Sequence, residues 1–302
     1  MKAKFVVSLM VALTIALLTG PVVLAADVLK QVPENELKKV KEALPAKATA
    51  EPAKPRRILI FCRTEGFPHD SIPIGAKALE LMGEKTGAWK SDISVDMKAF
   101  DADSLKKYDA VVFNNTTQLK FKDPKHREAL LEFVRNGGGI VGIHAACDNF
   151  PTWKEGQDMI GAVFNGHPWQ QIPVKLDDPK SPLSKAFDGK AFWVKDEIYR
   201  FKAPYSRDRL HVLLSMDMTR IDNKQSRPDG DNAVAWIQEV GKGHAFYCSL
   251  GHVHEIFWNP TLLQFYCDGM QYALGDLKAD ATSSAKLSPQ PEAIHAPEKA
   301  GK

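Results

Sequence analysis

Four histidines and one glutamate stand in this chain of 302 residues where their side chains could do chemistry together. His69 follows Gly66-Phe67-Pro68 just past an apolar run, and His144 ends the run Gly139-Ile140-Val141-Gly142-Ile143. His167 lies in Asn165-Gly166-His167-Pro168, and His252 closes Ser249-Leu250-Gly251-His252. Glu197 sits in Asp196-Glu197-Ile198-Tyr199-Arg200-Phe201, where charges alternate with aromatic and apolar groups. Imidazoles with a carboxylate admit two chemistries. As metal ligands, with His144, His252, His254 and Glu197 the candidates, they would hold zinc or a similar divalent ion that polarises a carbonyl or activates water. As a metal-free acid and base set, His69, His144, His252 and Glu197 would move protons on a hydroxy-ketone or glycosidic centre. No paired-histidine helix motif decides between the two.

Every one of these residues has a plainer alternative. A lone loop histidine is commonly a solvated surface group, Glu197 could pair with Lys195 or Arg200, and His254 could simply cap a turn. Trp153, Trp169, Tyr199 and Trp258 suit either a core or stacking against the apolar face of a sugar ring. His167, Tyr199, Trp153, Trp258 and Asp148 are the candidates for substrate binding. His126, His211, His244 and His295 read as structural or solvated.

Residues so far apart in sequence converge only if the fold gathers them. Arg57-Ile58-Leu59-Ile60-Phe61-Cys62 reads as a strand buried on both faces, followed by a helix with Ile74, Ala78, Leu79 and Met82 at helical spacing that stops at Gly83 or Gly87. Further strands are expected at 93–99, 108–115 and 139–143, with a helix from Pro124 to Asn136. Strands are also expected at 172–176, 210–215, 233–237 and 244–248, with a short helix near Met159 and a last helix from Pro260 to Leu274. This alternation implies a doubly wound α/β fold, its sheet mainly parallel with antiparallel additions at one edge. Ligands bind such sheets beyond the carboxyl ends of the strands.

The ends read differently. Lys2 and Lys4 precede an apolar run from Phe5 to Leu18, then Pro21 and Val23-Leu24-Ala25-Ala26. This is the pattern of a secretory signal peptide cleaved near Ala25, too short to span a bilayer, so a secreted or periplasmic protein with no membrane attachment is expected. Residues 26–55 read as a linker with at most one helix, 56–278 as one α/β domain, and 279–302 as a disordered tail poor in large apolar groups. A net charge of +3 with no basic and aromatic interleaving argues against nucleic acid as a partner. Cys62, Cys147, Cys248 and Cys267 form no CxxC pair and read as buried free thiols.

The run Gly142-Ile143-His144-Ala145-Ala146 has the small flanks of a nucleophile elbow, with His144 at the exposed tip. The wording Gly137-Gly138-Gly139-Ile140-Val141-Gly142-Ile143-His144-Ala145-Ala146 resembles the ThuA-like (trehalose utilisation) family, and the resemblance implies the flavodoxin-like fold of class I glutamine amidotransferases. Gly66-Phe67-Pro68-His69, Phe164-Asn165-Gly166-His167-Pro168, the segment around Glu197 and Tyr199, Ala233-Val234-Ala235-Trp236, and Gly241 through His252 follow in the family's order. The resemblance implies a role in carbohydrate catabolism, on a disaccharide such as trehalose or on an oxidised (3-keto) glycoside made by a partner sugar dehydrogenase. It implies no nucleotide cofactor. Glutamine hydrolysis is not expected, because His144 occupies the place of the amidotransferase thiol and Cys147 lies three residues later. A metal-dependent hydrolase of another small molecule and a periplasmic sugar-binding module without turnover are the competing functions.

Overall fold

The computed structural model describes residues 32–222 and 225–299. The expected signal peptide lies outside them. Eleven strands follow in chain order: β1 (Arg57–Phe61), β2 (Lys90–Ser94), β3 (Ala110–Asn114), β4 (Gly139–Ile143), β5 (Val163–Phe164), β6 (Trp169–Leu176), β7 (Phe192–Ile198), β8 (Phe201–Lys202), β9 (His211–Met216), β10 (Ala233–Val240) and β11 (Gly243–Cys248). The helices of seven or more residues are α1 (Glu34–Ala43), α2 (Ile72–Thr86), α3 (Pro124–Arg135), α4 (Lys154–Ile160) and α5 (Pro260–Ala273).

Nine strands form one sheet in the order β2-β1-β3-β4-β11-β10-β9-β6-β7, and β5 pairs with β8 in a small second sheet. From β2 to β11 all pairings are parallel. Their order is the flavodoxin-like one. From β10 onward every pairing is antiparallel, so the additions do fall on one side of the parallel core.

The parallel strands are continuous apolar runs because both of their faces are covered. Ile58 and Ile60 of β1 enter one core while Leu59 and Phe61 enter the other. Val112 and Val111, and Phe246 and Tyr247, divide in the same way. Helix ends follow their local chemistry. The Asp123 side chain accepts the Lys125 N–H at the start of α3, and Asn259 accepts that of Leu262 at the start of α5, each followed by a proline at the first turn. Helix α2 stops at Gly87, which takes φ +69°.

Three expectations are corrected. The strand expected at 93–99 ends at Ser94, because the Asp96 side chain caps a 3-10 turn over Met97–Phe100. The supposed linker docks on the domain: α1 buries Val40, Ala43 and Leu44, and Gln271 Oε1 accepts the N–H groups of Thr49 and Ala50 at 2.8 and 3.0 Å. The supposed disordered tail is also ordered against the sheet. Ile294 exchanges two backbone hydrogen bonds with Leu176, Ser284 Oγ accepts the Val212 N–H, and Ala296 is buried. Strand backbone groups left without a strand partner needed one, and polar, proline-rich chain supplies it without any apolar stripe.

All four cysteines are buried and free. Among the described residues no helix is long and apolar enough to cross a membrane.

Candidate functional site

Beyond the carboxyl end of β4 the chain turns at His144, whose φ of +45° is a left-handed conformation rare for a side chain of this size. Small flanks make the turn possible. A Cβ on Gly142 would stand 2.8 Å from the Tyr247 ring and 3.3 Å from Ala146. Two hydrogen bonds hold the strained residue: Tyr247 Oη donates to its carbonyl at 2.6 Å, and its Nδ1 lies 2.7 Å from the Ser249 carbonyl. A carbonyl only accepts, so Nδ1 carries a proton, and in the neutral ring it is Nε2 that has the lone pair. The elbow differs from expectation in that His144 is fully buried rather than exposed at the tip; a five-residue 3-10 turn follows it.

The other candidates converge on that lone pair. Glu197 Oε2 lies 3.5 Å from His144 Nε2 and 3.5 Å from His252 Nδ1, while Oε1 lies 3.2 Å from His167 Nδ1. The His69 ring packs edge-on against both His144 and His252, with centroids 5.0 and 5.2 Å away. One ligand atom from each of His69, His144, Glu197 and His252 lies within 4.8 Å of all the others. His69 Nδ1, His144 Nε2 and His252 Nδ1 are buried and make no hydrogen bond among the described residues.

Buried polar atoms without hydrogen-bond partners are costly, and three gathered around one carboxylate form a set able to hold one ion. Ligand atoms about 2.1 Å from one ion stand roughly 3.4 Å apart in a tetrahedron. The two 3.5 Å separations around Glu197 Oε2 fit that spacing. The hydrogen bond from His144 Nδ1 to a carbonyl is the outer-shell contact that aims a metal-binding imidazole. Burial, with the neighbouring His144 and His252, pushes the His69 imidazole down to about 3, so it stays neutral as a ligand must. Burial would raise the Glu197 carboxyl, but the hydrogen bond that a protonated His144 gives and the positive charge that His252, His144 and His167 carry when protonated outweigh it and hold it below the usual carboxylate range.

Sequence reasoning missed the groups that hold this cluster. Asp196, pointing away from Glu197 along β7, is 1 % exposed and accepts the N–H groups of Gly251 at 2.6 Å, Val253 at 2.9 Å and His252 at 3.4 Å. Asn115, at φ +52°, donates to Ser71 Oγ and to the Gly251 carbonyl. The ends of β3, β7 and β11 and the start of α2 are thereby tied to the loop carrying His252. The strand alternation around Glu197 was a usable signal: if one carboxylate of an Asp-Glu pair faces the site, its neighbour faces the protein.

Other candidates separate from the cluster. Trp153 is a core residue, 4 % exposed and packed on Phe121 and Phe150 with Arg127 over its ring, so its assignment to substrate binding is corrected. His254 does not join the metal ligands, because its Nδ1 pairs with Glu36 of α1 at 2.9 Å. Trp258 has Lys39 over one ring face and lines a neighbouring cleft of about 290 Å³ with His252 and His254. Tyr199 lies beside the cluster, its ring 4.3 Å from that of His144. Asp148 ends the 3-10 turn begun by His144 and accepts from Gln118 Nε2 at 2.7 Å. His126, His211 and His295 pair with Asp101, Asp178 and Asp217, and His244 packs on Tyr272, all as structural groups.

A second cleft, of about 390 Å³, opens at the opposite edge of the sheet. Its cations are committed: Lys54 and Arg56 to Asp109, Arg56 also to Asp276, and Lys106 to Asp103.

A flavodoxin-ordered α/β sheet with a buried histidine at its elbow and a His3Glu cluster beyond the strand ends defines the class of protein. Over residues 57–273 the sequence matches the family described as ThuA, trehalose utilisation, and the chain belongs to that family. Its structure is similar to a ThuA-like protein from Bacteroides uniformis ATCC 8492, with TM-score 0.60 and 22 % identity over 78 % of this chain and 98 % of that one. It is also similar to one from Parabacteroides merdae ATCC 43184, with TM-score 0.58 and 18 % identity over 76 % and 93 %. At these identities the likeness speaks for the fold. No curated protein matches the chain.

Proposed function

We propose that this protein is an exported enzyme of carbohydrate catabolism that handles a disaccharide or an oxidised (3-keto) glycoside at a divalent ion held by His69, His144, His252 and Glu197. The observation that carries this reading is the set of three unpartnered buried imidazole nitrogens meeting at one carboxylate. The family's description supports the substrate class, and the leader-like first 25 residues support export to the periplasm. An ion bound there would polarise a carbonyl or hydroxyl oxygen of the substrate.

The protein's own groups have separable tasks. Glu197 would hold the ion through Oε2, while its Oε1 lies 3.2 Å from His167 Nδ1. His167 is half exposed beside Glu197 and would exchange a proton with a sugar hydroxyl. A keto-glycoside substrate would be supplied by a partner sugar dehydrogenase. Glutaminase chemistry is not proposed, because the Cys147 thiol is fully buried and burial raises it far above the range where a thiolate forms.

The test is metal analysis of the purified mature protein, followed by turnover assays on trehalose, other disaccharides and their 3-keto derivatives. Stoichiometric metal that is lost in His144→Ala and Glu197→Gln, together with turnover lost in parallel, supports the reading. Metal-free protein with full turnover would replace the ion by histidine acid and base catalysis. Sugar binding without turnover would make the protein a binding module.

A further inference from the structure

Phe67 is the large hydrophobic residue that the described surface leaves open, at 64 % exposure. Its ring stands edge-on to His69, with centroids 5.0 Å apart, so it borders the His3Glu cluster directly. A mobile loop could explain an exposed aromatic ring, but this loop is fastened. The Thr117 and Thr64 hydroxyls lie 2.9 and 3.2 Å from the Phe67 carbonyl and within bonding distance of each other, so that one donates to the carbonyl and the other to its neighbour, and the Glu65 N–H donates to the Thr117 carbonyl at 2.9 Å. Gly66 fits against this neighbour because it has no side chain: a Cβ there would meet Gln118 Cγ at 2.7 Å and Thr117 Oγ1 at 2.9 Å.

The backbone of the loop is thus fixed by its polar groups while the one large apolar ring it carries is turned to solvent. Single exposed apolar residues are ordinary on a protein surface. A rigidly presented ring adjoining a polar cluster is the arrangement of a ligand pocket, in which an apolar wall orients what the polar groups bind. The cluster supplies nitrogen and oxygen groups for one edge of a ligand. Phe67 supplies what they lack, a flat apolar surface.

We propose that Phe67 is a specificity-determining residue, a platform on which the C–H face of a pyranose ring lies when the ring's oxygens reach the His3Glu cluster. The proposal rests on the carbohydrate reading above and narrows it to cyclic sugars with an apolar face. Linear polyols and small carboxylates, which have no such face, would not use the platform.

The experiment compares the full mature chain with Phe67→Ala and Phe67→Tyr, measuring manganese and zinc binding first and then the affinity of the metal-loaded proteins for trehalose and for sorbitol. Phe67→Ala is expected to bind metal as wild type does and to bind trehalose about tenfold more weakly. Phe67→Tyr should restore binding, and sorbitol binding should be insensitive to all three side chains. Unchanged trehalose affinity in Phe67→Ala, with His144→Ala still abolishing it, overturns the platform and leaves the functional reading standing. Failure of the wild-type protein to bind trehalose, any other disaccharide or their 3-keto derivatives overturns both.

Discussion

His144 Nδ1 donates to the Ser249 carbonyl at 2.7 Å, and this bond joins the end of β4 to the end of β11 while leaving Nε2 free toward Glu197. The same contact therefore serves the fold and the site. His144→Ala removes a ligand of the proposed ion and also leaves a buried carbonyl without its donor, at a cost of about 1–3 kcal/mol. Metal affinity should fall by at least about 100-fold, beyond the effect expected of an outer-shell change, and thermal denaturation should show a smaller but measurable loss of stability. Wild-type metal affinity in the variant would remove His144 from the ligand set.

Away from the site, Asp268 gives the protein a pH dependence of its own. The residue is 2 % exposed, and burial pushes its carboxyl up to about 6 against the opposing bonds from Thr49 and Gln264. Below about pH 4 both folded and unfolded chains hold this proton, and no penalty arises. Between about pH 4 and 6 the unfolded chain ionises first, so it binds fewer protons than the folded one and stability falls as pH rises. A shift of this size corresponds to about 3 kcal/mol lost by neutral pH. Asp268→Asn, which imitates the protonated acid, should flatten that slope and be more stable than wild type at pH 7.5. Denaturant titrations at pH 4, 5, 6 and 7.5 check this, and an unchanged slope in the variant would contradict it.

Much of the parallel half of the fold was legible because double burial writes itself as unbroken apolar runs, as in Ile58 to Phe61 and Val111 to Phe113. The site was legible where motif residues followed such runs, which is why His69, His144 and His252 were identified before their convergence was seen. Strand β7 left a weaker trace, since Lys195 and Glu197 alternate with Val194, Asp196 and Ile198 and one buried residue is itself an acid. Trp153 and His254 were misassigned because residue type alone cannot tell an aromatic core from a sugar platform, or a ligand from a partner of Glu36. The docked ends were least legible. Their anchors are backbone groups and small polar side chains, which carry no periodicity.

Those anchors can be cut. A chain beginning at Pro55 loses the buried Val40, Ala43 and Leu44 and the hydrogen bonds from Thr49 and Ala50 to Gln271. A chain ending at Asp280 strips Leu176 and Val212 of backbone partners and leaves the buried Asp217 without the Ala296 N–H at 2.9 Å. Each truncation should cost at least about 2 kcal/mol, a fall of roughly 4–8 °C in Tm for a domain of this size. Calorimetry on the two truncated chains decides the matter, and an unchanged Tm would mean that the segment rests on the surface without holding it.

Asp196 is the group on which the His252 loop depends. Its carboxylate, buried from solvent, receives three backbone N–H groups from consecutive residues, Gly251 to Val253. Asp196→Asn keeps the size of the side chain but turns one acceptor oxygen into an NH2 that faces N–H donors. The loop must then shift or leave donors unmet, at about 2–3 kcal/mol given the charge-assisted character of the bonds. Because His252 lies inside the clasped segment, its Nδ1 should move away from Glu197 Oε2, and metal affinity should drop by about 10- to 100-fold although no ligand has been removed. A ligand mutation and this one are distinguished by rescue. High metal concentration should restore binding in Asp196→Asn at full stoichiometry, since all four donors are still present, but should not restore the complete site in His252→Ala. Metal titration of both variants beside the wild type is the measurement, and wild-type affinity in a folded, destabilised Asp196→Asn would confine Asp196 to holding the fold.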